Sequence, residues 1–397
     1  MKRLKRISAL MICAFLTLQN VMAQIELPSY DKGLSIQAKD GSAKLKFSFR
    51  VQSLFTAEVE EGSNNPTYAM MIRRSRLKSD GYFLNKKFGY KFEMGLSNGD
   101  IGNGREIPES GNAPRLLLDG VLKYSPKPAW EVWFGQTKLP GNRERVISSQ
   151  KLQFVDRSLV NSDFNIDRDF GVWVFYKKSI AKIPVILSGA ISNGEGRDIT
   201  VDNIGGFSYT GRFEFLPLGE FTKKGHYVSS DLEREKKPKV AIGVSYNYNQ
   251  NASRQNGQLG SFVKDSNGYY LADLSNVMAD LMFKFKGWSA LAEYAQRTST
   301  HDFATAPELS SFFDLGYGSN FQVGYLWKNN FEVAGRYTDI VAAESFTALK
   351  SRKQYTLGLS KYLSGHNLKW QTDLSYTKQA TATKGDFMYR FQFEFGI

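Results

Sequence analysis

Phe387-Met388-Tyr389-Arg390-Phe391-Gln392-Phe393-Glu394-Phe395-Gly396-Ile397 places an apolar, mostly aromatic residue at every second position, with Met, Arg, Gln, Glu and Gly between. Successive side chains of a strand leave on opposite faces, so one face here is almost wholly aromatic and the other mostly polar or small. A soluble sandwich would need a second sheet over the aromatic face. A barrel crossing a bilayer does not, because lipid covers the apolar face and water fills the interior.

The same alternation recurs along the chain. Leu45, Phe47, Phe49 and Val51 mark one segment, Phe88, Tyr90, Phe92, Met94 and Leu96 another, and Val240, Ile242, Val244, Tyr246 and Tyr248 a third. With Val277–Phe285, Phe331–Tyr337, Leu368–Tyr376 and weaker stretches, there are about 16 strands, each near the length that crosses a bilayer. Period-2 patterns also occur in half-buried soluble strands, so the connections decide. Tight turns at Leu84–Lys86, Ser125–Ala129, Gly287, Lys328–Asn330 and Ser364–Asn367 alternate with long polar stretches. The long ones are Asn98–Pro114, Leu139–Arg168, Asn193–Gly206, Gln250–Leu271, Thr298–Phe312 and Ala342–Arg352. Short periplasmic turns against longer outer loops are the pattern of a bacterial barrel. Pro217–Pro238 stands where a short turn is expected, yet carries a charged, Lys-rich insertion that the alternation does not explain. Trp130, Trp288, Trp327 and Trp370 all lie beside short turns, which predicts one aromatic girdle at the periplasmic interface. The predicted fold is all-β, a single transmembrane antiparallel β-barrel over residues 44–397.

Lys2, Arg3, Lys5 and Arg6, the apolar run Ile7–Leu18 and the small pair Val21 and Ala23 read as a secretory signal peptide over residues 1–23. The run is shorter than the roughly 20 residues of a helical span. The mature chain is expected to start at Gln24, with a short periplasmic segment over 24–43 ahead of the barrel. The single cysteine, Cys13, falls inside the signal, so the mature chain offers no thiol for a disulfide or a metal. The localisation this implies is the outer membrane of a Gram-negative bacterium, reached through a cleaved signal. Loss of the four N-terminal cations lowers the formal charge from +13 to +9. Such a chain suits nucleic acid, anionic lipid or anionic solutes, and export removes the first.

Counting alternation from the apolar face sends Lys46, Arg50, Arg74, Arg76, Lys78, Lys91, Arg212, Arg336, Lys369 and Arg390 inward. It also sends Glu93, Asp119, Glu131, Glu214, Glu293, Glu332 and Asp373 there. So mixed a lumen gives weak anion preference by net charge alone; selectivity requires basic groups gathered where the pore narrows. The densest group is Arg73-Arg74-Ser75-Arg76 with Lys78. Arg73 has the wrong parity for the lumen unless the strand bulges, and a bland reading makes the cluster snorkel to lipid headgroups. Arg50 is the nearest partner for Arg74 on the preceding strand, whereas Lys369 is expected far from the constriction. A second candidate is Leu139–Arg168, where Arg143, Arg145, Lys151, Arg157 and Arg168 oppose Glu144, Asp156, Asp163 and Asp167. A loop of that length is usually functional or disordered, and Leu152, Phe154, Val155 and Phe164 argue that it packs, with the lumen wall available.

Arg73-Arg74-Ser75-Arg76-Leu77, Phe134-Gly135-Gln136-Thr137-Lys138-Leu139-Pro140, the Arg157-Ser158 step and Arg168-Asp169-Phe170-Gly171-Val172 resemble, in order and spacing, the phosphate-selective porin O and P family. The resemblance covers most of the mature chain. It implies a 16-stranded outer-membrane porin, assembled as a homotrimer, with the third outer loop folded into the pore and a basic constriction that passes phosphate. By position, Arg50, Arg73 and Arg74 match the arginines near that constriction. The terminal strand likewise resembles the recognition signal of outer-membrane barrels, with Ile397 where Phe is usual.

The sequence points to no cofactor and away from catalysis. His226, His301 and His366 lie in loops or turns without metal-ligand spacing, and only His301 could serve a barrel hydrolase as base. Asn165, Asp167 and Asp169 lack a calcium loop's closing Glu, position 12 being Tyr176. The expected function is passive diffusion of small anions, phosphate or related oxyanions, through a water-filled channel embedded in lipid. The alternative keeps the barrel as a general or other-solute channel, or as a binding or structural protein that acts through its loops.

Overall fold

The computed structural model describes residues 23–26 and 33–397, apart from 102–107, 112–114, 302 and 307. The expected secretory signal, Ala23 excepted, lies outside the described residues. The strands are β1 (Lys44–Glu60), β2 (Thr67–Phe83), β3 (Asn85–Gly95), β4 (Leu117–Lys127), β5 (Trp130–Lys138) and β6 (Arg168–Ile180). They continue as β7 (Ile183–Ser192), β8 (Ser208–Phe215), β9 (Lys239–Ala252), β10 (Ala272–Phe285) and β11 (Trp288–Ser299). The last five are β12 (Gly316–Leu326), β13 (Phe331–Ala342), β14 (Arg352–Ser364), β15 (Leu368–Gln379) and β16 (Asp386–Gly396). Each pairs antiparallel with the next, and β16 returns to β1 from Asp386↔Glu60 to Gly396↔Arg50. Closure leaves the barrel without an open edge, as a bilayer demands. The segment 24–43 contributes Leu34–Ala38, which extends the sheet along the periplasmic end of β1, and Ala23–Glu26 pairs with it in turn.

Alternation sets which way each side chain points. Along β16, Phe387, Tyr389, Phe391, Phe393 and Phe395 are each between 38% and 42% exposed, whereas Arg390, Gln392 and Glu394 are buried. The aromatic belt forms beside the short turns. Trp288 packs on Tyr325, Tyr325 on Trp327, Trp327 on Phe331, Phe331 on Trp370 and Trp370 on Phe391. Trp130 packs on Tyr176 of the neighbouring strand with the rings tilted. The turn between β10 and β11 takes Lys286 and Gly287 to φ of 49° and 96°, the left-handed pair that a two-residue hairpin needs.

Two long connections turn into the barrel. The third outer loop, residues 139–167, coils into short helical turns at Arg143–Val146, Ser149–Lys151 and Leu159–Phe164. Its Leu139, Val160, Phe164 and Ile166 pack on the inward-facing Trp173, Met278, Ala295 and Ile340. Burying side chains of this kind contributes about 1.5–3 kcal/mol each, well short of the cost of ordering so long a loop. Polar anchors must supply the rest. The second segment is 216–238, which the short-turn rhythm places as a periplasmic connection. Its ends are periplasmic, but its body folds back inside, where Leu216 and Phe221 join Ile147, Leu152, Ala241, Met282 and Leu291 in one apolar cluster. Apolar residues flanking the lysines, rather than the charge run, explain the insertion.

Candidate functional site

The outer loop is fixed by charge. Arg143, fully enclosed, sets Nη2 2.8 Å from Glu214 and Nε 2.7 Å from Asp280, while Arg212 bridges the same two carboxylates at 3.2 and 2.7 Å. A pair this deep is costly to desolvate, and removing one member leaves an uncompensated charge behind. Within the loop, Glu144 ties the two ends of the coil together by accepting from Ser158 N–H at 3.0 Å and from Ser158 Oγ at 2.6 Å. Arg157 donates to the carbonyl oxygens of Glu144 and Ile147, both at 2.8 Å. Arg145 pairs with Asp167 at the foot of the loop.

The strand arginines reach this loop rather than standing free. Arg50 spans two elements, with Glu394 of β16 at 3.2 Å and Ser149 Oγ of the loop at 2.7 Å. Arg74 donates to Gln52 Oε1 and to Asp156 Oδ1 of the loop, both at 2.9 Å. Arg73 joins it at 3.3 Å from the same oxygen, because β2 bulges there: Gln52 pairs with Arg74 and Ser53 with Ile72, leaving Arg73 extra. A bulge of this kind re-aims a side chain. Arg76 is held by Glu93 at 3.0 Å and Asp100 at 2.6 Å, and Lys78 by Asp80 at 2.8 Å. Arg168 opens β6 and lies 3.2 Å from Asp119, which Lys91 also meets at 2.9 Å. Lys369, expected far from the constriction, instead donates to the Gln150 carbonyl of the loop at 2.8 Å. The inward fold of the loop brings that chain segment to β15.

Between the loop and the wall of β1–β6 a cavity of about 450 Å³ remains, reaching Gly33, Asn367 and Ile397 at the periplasmic end. Its basic lining residues are Lys46, Arg50, Arg76, Lys78, Lys91, Lys138, Lys151 and Arg168, against the single acidic Glu93. Lys46, Lys138 and Lys151 have no carboxylate partner among the described residues; Lys138 donates to the Arg145 carbonyl at 2.9 Å. The loop cations above the cavity are short of negative charge. Burial and then Arg74 push Arg157 down to about 9, burial and then Arg157 hold Arg145 well below its ordinary value, and burial with Lys78 lowers Lys151.

Of the residues singled out by sequence, Arg50, Arg76 and Arg168 line the cavity, Lys78 stands at its margin in an exposed pair, and Arg73 and Arg74 meet over Asp156. Arg145 and Arg157 sit within the loop, and Arg143 is an anchor remote from the cavity wall. Sequence reasoning missed Lys138 and the part played by Asp156. The signal for Lys138 was its place at the end of β5, directly before the loop it contacts.

A family model described as phosphate-selective porin O and P matches residues 45–395. No curated relative matches the sequence. Among solved structures the barrel is similar to the outer-membrane channel DcaP of Acinetobacter baumannii, at TM-score 0.54 and 11% identity, covering 91% of this chain and 99% of that one. OprB of Pseudomonas putida gives 0.53 and 11%, over 89% and 94% of the two chains. OmpF of Salmonella typhi gives 0.52 and 13%, over 90% and 100%. At such identities the likeness is one of fold.

Proposed function

The chain belongs to the phosphate-selective porin O and P family, and from that premise we propose that this outer-membrane porin passes small anions by diffusion, phosphate and related oxyanions among them. The observation that carries the reading is the cavity between loop and wall, with eight basic side chains and one acidic one. Fields from Lys46, Lys138 and Lys151, none of which has a carboxylate partner among the described residues, act within that cavity. Export through a cleaved signal ending at Ala23 and assembly as a homotrimer complete the proposal. They are supported by the charge and apolar pattern of residues 1–23 and by the family resemblance. Single-channel reversal potentials in chloride and phosphate gradients test the ion preference; a potential of the cation-selective sign in both would overturn it.

The two inward segments favour a second reading, in which the barrel is shut and the loops serve to bind a partner. Purified protein that forms no conducting channel in planar bilayers would establish that reading.

A further inference from the structure

The short periplasmic turns of the barrel lack carboxylates, and most of them present lysine. The turns and strand ends at 84–87, 125–129, 178–182, 286–287, 327–330 and 364–367 contain no Asp or Glu. The first five carry exposed Lys86, Lys127, Lys178, Lys182, Lys286 and Lys328. No carboxylate pairs with any of these amines among the described residues, whereas Lys223 of the neighbouring periplasmic segment has Glu233 at 3.0 Å. The outer connections mix both signs; 193–207, for example, sets Glu195, Asp198 and Asp202 against Arg197.

These cations stand at the level of the aromatic belt and on the outside of the wall. Lys328 directly follows Trp327, Lys286 comes two residues before Trp288, and Lys127 three before Trp130. Lys286 Nζ lies 5.0 Å from the centre of the Phe285 ring, and Phe285 shares the outward face of β10 with exposed Val277 and Leu281. Lys178 shares the outward face of β6 with exposed Val172 and Val174. Amphipathic rings sit where hydrocarbon gives way to headgroups, so an ammonium beside them lies at the depth of lipid phosphates. Successive hairpins are about 10 Å apart, two strand spacings, which exceeds the screening length of about 8 Å at physiological salt. Each lysine therefore draws its own counter-charge.

We propose that the turn lysines form a collar for the anionic phospholipid headgroups of the inner leaflet, holding a shell of such lipid around the periplasmic end of the barrel. Juxtamembrane cations attract anionic lipid within a screening length of the surface. A cell-wall polymer with carboxylates has the same sign of charge, but it would meet amines that point down from the turns. Lys286 instead lies against the lipid-facing Phe285, and Lys178 leaves the wall sideways. The inference requires that the barrel span the outer membrane and not that it select anions, so it stands or falls apart from the channel reading.

Tryptophan quenching tests the collar, with the purified protein in phosphatidylcholine vesicles that contain brominated phosphatidylglycerol or brominated phosphatidylcholine. Trp130, Trp288, Trp327 and Trp370 all belong to the periplasmic belt, so the lipid-facing signal reports that end. Phosphatidylglycerol should quench about threefold more effectively at low salt, and the preference should vanish at about 0.5 M salt. Lys178→Gln with Lys182→Gln, Lys286→Gln and Lys328→Gln should abolish it at low salt. The double variant Lys286→Gln with Lys328→Gln, beside Trp288 and Trp327, provides the same test should the fourfold one assemble poorly. Equal quenching of the wild-type protein by the two lipids, or a preference that survives the Gln substitutions, overturns the collar. Lysine-dependent sedimentation with purified cell-wall sacculi, without any lipid preference, overturns it too and gives the lysines to the wall polymer.

Discussion

Residues 139–167 and 216–238 enter the same barrel from opposite ends, and they are held there by different forces. The outer loop is tied to the wall by charge, through enclosed Arg143 to Glu214 and Asp280 and through part-exposed Asp156 to Arg73, Arg74 and Arg390. The periplasmic segment is held by the apolar cluster around Leu216 and Phe221 and by single hydrogen bonds, several of which use backbone atoms. Lys284 Nζ donates to the Ser230 carbonyl at 2.6 Å, Gly287 N–H to Asp231 at 2.8 Å, and Arg143 to the His226 carbonyl at 3.1 Å. Ser229 N–H then meets the Lys151 carbonyl of the outer loop at 3.0 Å. Part of the periplasmic segment's support is therefore the outer loop itself, so disorder in the loop reaches the segment more readily than the reverse.

The largest effect should come from Arg143→Ala, which strikes both. It strips a partner from two enclosed carboxylates and an N–H donor from His226, at a cost on the order of 3–5 kcal/mol; thermal unfolding of the detergent-solubilised protein should show a clear fall in midpoint. Replacing Gly219–Lys236 by a short turn should spare the outer loop and open the periplasmic side, raising single-channel conductance on the order of twofold with anion preference kept. An unchanged conductance would mean that the segment stands outside the current path.

Acid should separate the two segments. Burial, opposed by Glu214 and reinforced by Arg143 and Lys284, pushes His226 down to about 4 from its ordinary 6.5. Folding thus favours the neutral ring. Its contribution is complete above pH 6.5 and is lost as the pH falls from there through 4. Asp156 is held below the usual carboxyl range, so its pairs with Arg73, Arg74 and Arg390 persist in that window, whereas burial raises Asp163 at the far end of the same loop. Protection factors from hydrogen exchange, each corrected for the intrinsic rate at its pH, should be lower at pH 4 than at pH 7 in 216–238 and unchanged around Asp156, and His226→Phe should abolish the difference. The smallest effect belongs to Lys223→Ala. Its pair with Glu233 at 3.0 Å is exposed and worth less than about 1 kcal/mol, so the melting temperature should not move measurably.

Strand positions were legible because lipid enforces a strict two-residue period, and β16 shows it without interruption. The bulge at Arg73 was not, since one extra residue leaves no periodic trace in so short a window; only its consequence, a lumen role for a residue of the wrong parity, could be posed as a condition. The inward fold of 139–167 was suggested by Leu152, Phe154, Val155 and Phe164. That of 216–238 was hidden, because its anchors are backbone carbonyls and partners such as Glu332 and Tyr362, which Ser230 meets at 2.7 and 2.6 Å from more than a hundred residues away. Which arginines keep a free charge was equally hidden. Arg50 and Arg74 share lumen parity as expected, but their carboxylates come from β16 and from the loop.

Arg50 is bonded across 344 positions to Glu394 and, by the same guanidinium, to Ser149. Contacts so distant in sequence are formed late and slowly, since the intervening chain must first surrender its freedom. The final strand can satisfy Arg50 fully only when the outer loop is already seated. A cylinder that zipped shut with the loop outside would leave that guanidinium donating to lumen water in place of Ser149 while keeping Glu394, so the seam of the barrel differs according to whether the loop is seated.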